Sequence, residues 1–120
     1  MVQLGRLRDS HSLLFIYLDT MKQTYQMFFG RNTPGGYVTD EQWDKFKDVL
    51  NIAFQSYTVG DCQGVWQGDE ECTKYVTVTT KHQEKVEDVC AAYAKMFEQD
   101  AVGLLIGNPM RFVTKESEVY

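Results

Sequence analysis

The sequence predicts an α+β domain: a ferredoxin-like β-α-β-β-α-β arrangement, with a four-stranded antiparallel sheet and both helices on one face. Three observations predict it. Two segments carry amphipathic helical spacing behind Thr-x-x-Gln starts, four carry aromatic or β-branched strand chemistry, and the two kinds alternate in that order. Right-handed crossovers then remove most rival topologies.

Thr24–Phe29 is aromatic and apolar, stops at Gly30, and reads as the first strand. The stretch from Gly30 to Gly36 is turn chemistry throughout. Thr39 is then an N-cap, with Gln42 completing a capping box and Val38 and Trp43 in the hydrophobic-staple positions. Asp40 and Glu41 put negative charge in the first turn, where the helix dipole favours it. Trp43, Phe46, Val49, Leu50, Ala53 and Phe54 line one face of that helix. Tyr57–Trp66 is the second strand, and its Gly60, Asp61 and Gly64 suggest a bulge or a close backbone approach. A turn over Gln67–Glu70 leads to Thr73–Thr80, almost pure strand chemistry. Val76 and Val78 should meet the helices there, leaving Tyr75, Thr77 and Thr79 on the open face. Thr80 and Gln83 repeat the capping pattern for a second helix, striped by Val86, Val89, Cys90, Tyr93, Ala94 and Phe97. Ala101–Ile106 is the fourth strand. Met110–Val113 is a bent continuation or a separate edge strand.

The outer segments read differently. Residues 1–20 are expected to be an arm or extension, in which Leu13–Leu18 can add a strand at a sheet edge. Residues 21–113 form the domain, and 114–120 a charged, frayed tail.

A chain of 120 residues is one domain by size and long enough for a core of its own. Twelve Lys and Arg against 17 Asp and Glu give a net charge of −5, which disfavours nucleic-acid polymers and anionic membranes. The longest N-terminal apolar run has six residues, Leu13–Leu18, short of a signal-peptide core or a membrane span. A cytoplasmic location is expected. Cys62, Cys72 and Cys90 are an odd count and make no closed disulfide framework. Cys62 and Cys72 flank the hairpin turn and could face each other, a bridge that a reducing compartment disfavours. Cys90 reads as a small buried hydrophobe.

Several of these residues resemble a known family. Tyr25-x-x-Phe28-Phe29-Gly30, Gly35-Gly36-x-Val38 and Trp43-x-x-Phe46 are similar to motifs of a small uncharacterised bacterial family, the domain of unknown function numbered thirty-five seventy-four. Thr58-x-x-Asp61-x-x-Gly64-x-Trp66 and Tyr93-x-x-x-Phe97-x-Gln99 extend the resemblance over about residues 24–113. It implies an α+β fold and no activity. Many members carry an export or lipoprotein leader, a pattern residues 1–20 do not show.

Three constellations carry possible chemistry. In the first, Arg31 with Gly35, Gly36 and the helix start at Thr39 could hold a phosphate or carboxylate, since helix N-termini attract anions. The same glycines would also serve a plain tight turn. The second is the open sheet face, with Tyr75, Trp66 and, near an edge, Arg111. Such a face invites a partner, and face-to-face dimers of this architecture enclose a ligand. The aromatic RNA-binding motif is missing. In the third, Asp61 could act as a general base if burial raised its pKa, with Tyr75 or Tyr25 donating a hydrogen bond. His11, His82 and the cysteines make no metal spacing, and no metal or cofactor is expected. The leading expectation is a homodimer that binds a small anionic, nucleotide-like ligand without turnover. The alternatives are a small dimeric α+β barrel enzyme (isomerase, cyclase or cofactor-free oxygenase) and a protein–protein adaptor.

Overall fold

The structure, a computed structural model, describes residues 22–108 and 115–116. The expected N-terminal arm with its Leu13–Leu18 strand, His11, Arg111 and the Met110–Val113 segment lie outside the described residues. The elements are β1 (Gln23–Gly30), β2 (Asn32–Thr33), β3 (Gly36–Tyr37), α1 (Asp40–Ala53), β4 (Thr58–Trp66), β5 (Asp69–Thr80), α2 (Gln83–Met96) and β6 (Gly103–Gly107). Four strands form one antiparallel sheet in the order β4-β5-β1-β6. The β2–β3 pair is a separate small hairpin where turn residues alone were expected.

Strand alternation decides what is buried. Tyr25, Met27 and Phe29 of β1 and Val76 and Val78 of β5 point to one side, where Trp43, Phe46 and Leu50 of α1 and Val86, Val89 and Tyr93 of α2 cover them. Both helices therefore lie on the same face. Burying each large apolar side chain contributes roughly 1.5–3 kcal/mol. At the centre, the Phe29 and Tyr93 rings lie 4.8 Å apart and Phe46 and Tyr93 5.1 Å apart, in tilted and edge-on geometries.

The start of α1 follows its sequence signals. Thr39 Oγ1 accepts the Gln42 N–H at 3.1 Å, and Gln42 Oε1 accepts the Thr39 N–H at 2.9 Å. The start of α2 does not. Thr80 stays in β5 opposite Gln23, so its hydroxyl accepts the His82 N–H instead, and the helix begins at Gln83 with His82 as a cap that makes no side-chain bond. Gln83 is free to accept from the Tyr25 hydroxyl.

The β4–β5 register runs unbroken from Thr58↔Thr77 to Trp66↔Asp69, so β4 carries no bulge. Gln67 and Gly68, with φ of 50° and 86°, close the hairpin as a two-residue turn whose positive φ values match the strand twist. Cys62 pairs with Thr73 and Gln63 with Cys72, so the two thiols stand on opposite faces and are free.

Candidate ligand site on the open sheet face

The face away from the helices is laid down in rows. Thr24 and Thr79 share a hydroxyl hydrogen bond of 2.9 Å, and Gln26 Nε2 donates to Thr77 Oγ1 at 3.2 Å. The next row reads Gly60, Tyr75, Phe28, Gly103 across all four strands. The Tyr75 ring lies over Gly60, where a Cβ would come within 2.5 Å of its Cε2, Cζ and hydroxyl. The glycines of β4 thus give close approach rather than a bulge.

Beyond that row the face sinks into a trough of ≈ 690 Å³. Phe28, Cys62 and Thr73 contribute to its sheet side, Trp66 stands at the β4–β5 hairpin, and Asn32–Pro34 and the α2–β6 connection complete the rim. The rim is tied together. Gln99 Nε2 donates to the Asn32 carbonyl at 2.5 Å, and Glu71 Oε2 accepts the Asn32 N–H at 3.1 Å. Beneath it, the Tyr93 hydroxyl donates to the Gly30 carbonyl at 2.7 Å. Trp66 is 49% exposed, an aromatic surface open to a visitor. Asp69, Glu71, Glu98 and Asp100 line the trough, and among the described residues no Lys or Arg does.

Sequence reasoning joined Arg31 to this aromatic face; the sheet separates them. Arg31 shares the parity of Tyr25, Met27 and Phe29 and borders a second hollow, of ≈ 650 Å³, beside α1. Its Nε donates to the Val38 carbonyl at 2.8 Å and its Nη2 to Asp40 Oδ1 at 2.7 Å. The anion at this guanidinium is therefore one of the chain's own side chains. Thr39 is occupied by its capping box, and Gly35 and Gly36 are exposed around the β2–β3 turn. Tyr75 and Trp66 do share the open face, with only Trp66 lining the trough.

The alternative catalytic set is divided in the same way. Asp61 sits on the helix-side edge, ion-paired to Lys74, whose hydrogen bond and charge hold its carboxyl below the ordinary value, the reverse of a raised base. Tyr25 is buried under α2, and burial, reinforced by Glu87 and Glu84, pushes its hydroxyl up. Tyr75 is on the other side of the sheet. The three do not form one site.

Sequence reasoning missed Phe28, Asp69, Glu71, Glu98 and Asp100. Alternation along β1 could have found Phe28, the aromatic residue out of step with Tyr25, Met27 and Phe29. The acidic rim had no local signal, since its members come together from two distant segments, β5 and the α2–β6 connection. Among the described residues no group of three or more His, Cys, Asp and Glu is placed to hold a metal ion, and no helix is long and apolar enough to cross a membrane.

Fold and site together define an α+β domain with one sheet face left uncovered by the described residues and an acidic, aromatic trough at its end. The chain belongs to the family described as "Protein of unknown function (DUF3574)", which matches residues 24–111. No curated protein matches it. Among solved structures, a DUF3240 family protein from Shewanella baltica is 14% identical, with 78% of this chain and 96% of that one covered and a TM-score of 0.49. A phage SAM lyase in its apo state is 20% identical, with 82% and 86% covered and a TM-score of 0.50. At that identity the likeness is one of fold alone.

Proposed function

We propose that the protein is a cytoplasmic homodimer on a ferredoxin-like frame that binds a small flat ligand in the trough, without turnover. One observation carries this reading: a sheet face left bare by both helices, with Trp66 and Phe28 beside a hollow of ≈ 690 Å³. That volume is in the range of small-molecule sites. The free Cys62 and Cys72, exposed on opposite faces of one hairpin, support a reducing compartment. The division of Asp61, Tyr75 and Tyr25 between two faces favours binding over the enzyme alternative.

The rim revises the expected charge of the ligand. A phosphate about 4 Å from one of its carboxylates meets a repulsion of roughly 4 kcal/mol at an effective dielectric constant near 20. A nucleobase or nucleoside without phosphate fits better. Its ring stacks on Trp66 and its exocyclic N–H groups face Asp69, Glu71, Glu98 and Asp100.

Thermal-shift titrations with adenosine, SAM and ATP test the reading. They compare a neutral, a cationic and a polyanionic form of one ring, and SAM is included because a phage SAM lyase shares the fold. Adenosine or SAM should raise the melting temperature in a concentration-dependent way, with ATP well behind, and Trp66→Ala should abolish the response. At 100 times Kd the gain is about 2.7 kcal/mol. No shift with any of the three, or an equal shift in Trp66→Ala, would remove the reading.

A further inference from the structure

Strand β4 is nine residues long and lies at the outer edge of the sheet, with β5 its one partner among the described residues. The Arg31 N–H donates to the Cys72 carbonyl, so Cys72 directs its backbone groups toward β1, and Glu71 and Thr73 direct theirs toward β4. Their partners Gly64 and Cys62 are thereby engaged. The same alternation turns the N–H and C=O of Val59, Asp61, Gln63 and Val65 outward. Exposed edges of this kind are usually blunted by Lys, Pro or a bulge. β4 has none of these, and its one charged residue, Asp61, is neutralised by Lys74 of the neighbouring strand.

The order of residues in β4 is close to its own mirror image about Cys62. Val59 balances Val65, Gly60 balances Gly64, and Asp61 balances Gln63. We infer that β4 is the homodimer contact, pairing antiparallel with β4 of a second copy about a two-fold axis through Cys62. The inference rests on the homodimer part of the function proposed above and says where the contact lies. Val59 then faces Val65 of the second copy, covering two valines that are 38% and 68% exposed in the single chain. Asp61 faces Gln63, so no like charges are directly opposed. The hydrogen-bond phase also fits, because the residues with outward backbone groups become each other's hydrogen-bonded partners. A slip of one residue would set outward groups against engaged ones. The two sheets join into one, the open faces stay uncovered, and Trp66 meets Thr58 of the second copy at the rim of the trough. The partner thus closes the outer side of the ligand site.

In this register the two Cys62 residues form a non-hydrogen-bonded pair, with Cβ atoms about 4.5–5.5 Å apart. The full-length protein is treated with bismaleimidoethane, which joins two thiols by addition and needs no oxidant. One cross-linked dimer is expected in the parent and in Cys72→Ser, and none in Cys62→Ser. Light scattering after size exclusion supplies the second arm. Gln63→Pro removes an outward N–H and leaves the β4–β5 ladder whole, and Val65→Lys changes an exposed side chain. Each should weaken the dimer roughly tenfold or more. A dimer that gives no Cys62 cross-link and ignores both substitutions overturns the edge contact while leaving the homodimer reading intact. A monomer at all concentrations, as when residues 13–18 of the same chain sit along β4, overturns both.

Discussion

Replacing Tyr93 with Phe removes one oxygen from the buried aromatic cluster and leaves the ring in place. That oxygen has a specific task. Gly30 stands two residues past Phe28, the β1 residue that meets the first residue of β6, Gly103, so its carbonyl points beyond the start of that strand and has no ladder partner there. The Tyr93 hydroxyl supplies the missing donor at 2.7 Å. With Phe the carbonyl stays buried and unpaired, a loss of about 1–3 kcal/mol, nearer the lower end because Phe no longer buries a hydroxyl. With a urea slope of about 1–3 kcal/mol per molar, the unfolding midpoint should fall by roughly 0.5–1.5 M at unchanged slope. Tyr93→Ala, which also empties the ring's place among Phe29, Phe46 and Phe97, should cost about 3–5 kcal/mol. There is a pH signature as well. Burial raises the Tyr93 hydroxyl above the ordinary value of 10.0, so its contribution is complete below that value and is lost as pH rises through the raised one. Tyr93→Phe should lack that part of the alkaline loss. Equal midpoints for parent and Phe variant, with Tyr93→Ala still strongly destabilised, would refute the assignment of the hydroxyl to the Gly30 carbonyl.

Three further outcomes are expected. Thr39→Ala breaks the capping box of α1 and should destabilise the fold by about 1 kcal/mol, read by thermal denaturation. Lys74 lowers the Asp61 pKa, so this pair stabilises the fold above the ordinary aspartate value of 3.8 and is lost as pH falls through the lowered one. Because Asp61 is exposed, the effect is a few tenths of a kcal/mol, and acid-unfolding curves of Asp61→Asn should show it shrunken. Burial, helped by Glu87, pushes the Cys90 thiol up to about 11. At pH 8 a thiol reagent should therefore label Cys62 and Cys72 quickly and Cys90 slowly, the three rates converging in denaturant; fast labelling of Cys90 would contradict its packing.

The elements were legible where local chemistry and tertiary packing agree. Thr39 and Gln42 announced α1 because both are free of strand pairing, and Val76 and Val78 announced the buried face of β5 by alternation. Thr80 misled because the same Thr-x-x-Gln pattern was already held in the sheet opposite Gln23. The β2–β3 hairpin was invisible because two-residue strands around Pro34 and Gly35 carry no period. For the site, alternation along β5 puts Tyr75 on the open face, and Trp66 joins it there through its pairing with Asp69. Applying the same alternation to β1 would have moved Arg31 to the helix side and brought Phe28 forward. Glu98 and Asp100 reach the trough only through the α2–β6 connection, whose path is set by Gln99 bonding to Asn32, a contact between distant segments with no trace in either one.

Native mass spectrometry of the protein purified from cells tests the central claim most directly. The account predicts a dimer carrying a retained small molecule of nucleobase or nucleoside type, absent when Trp66 is replaced by Ala. A bare mass in repeated preparations, with no mass added by adenosine or SAM, would contradict it.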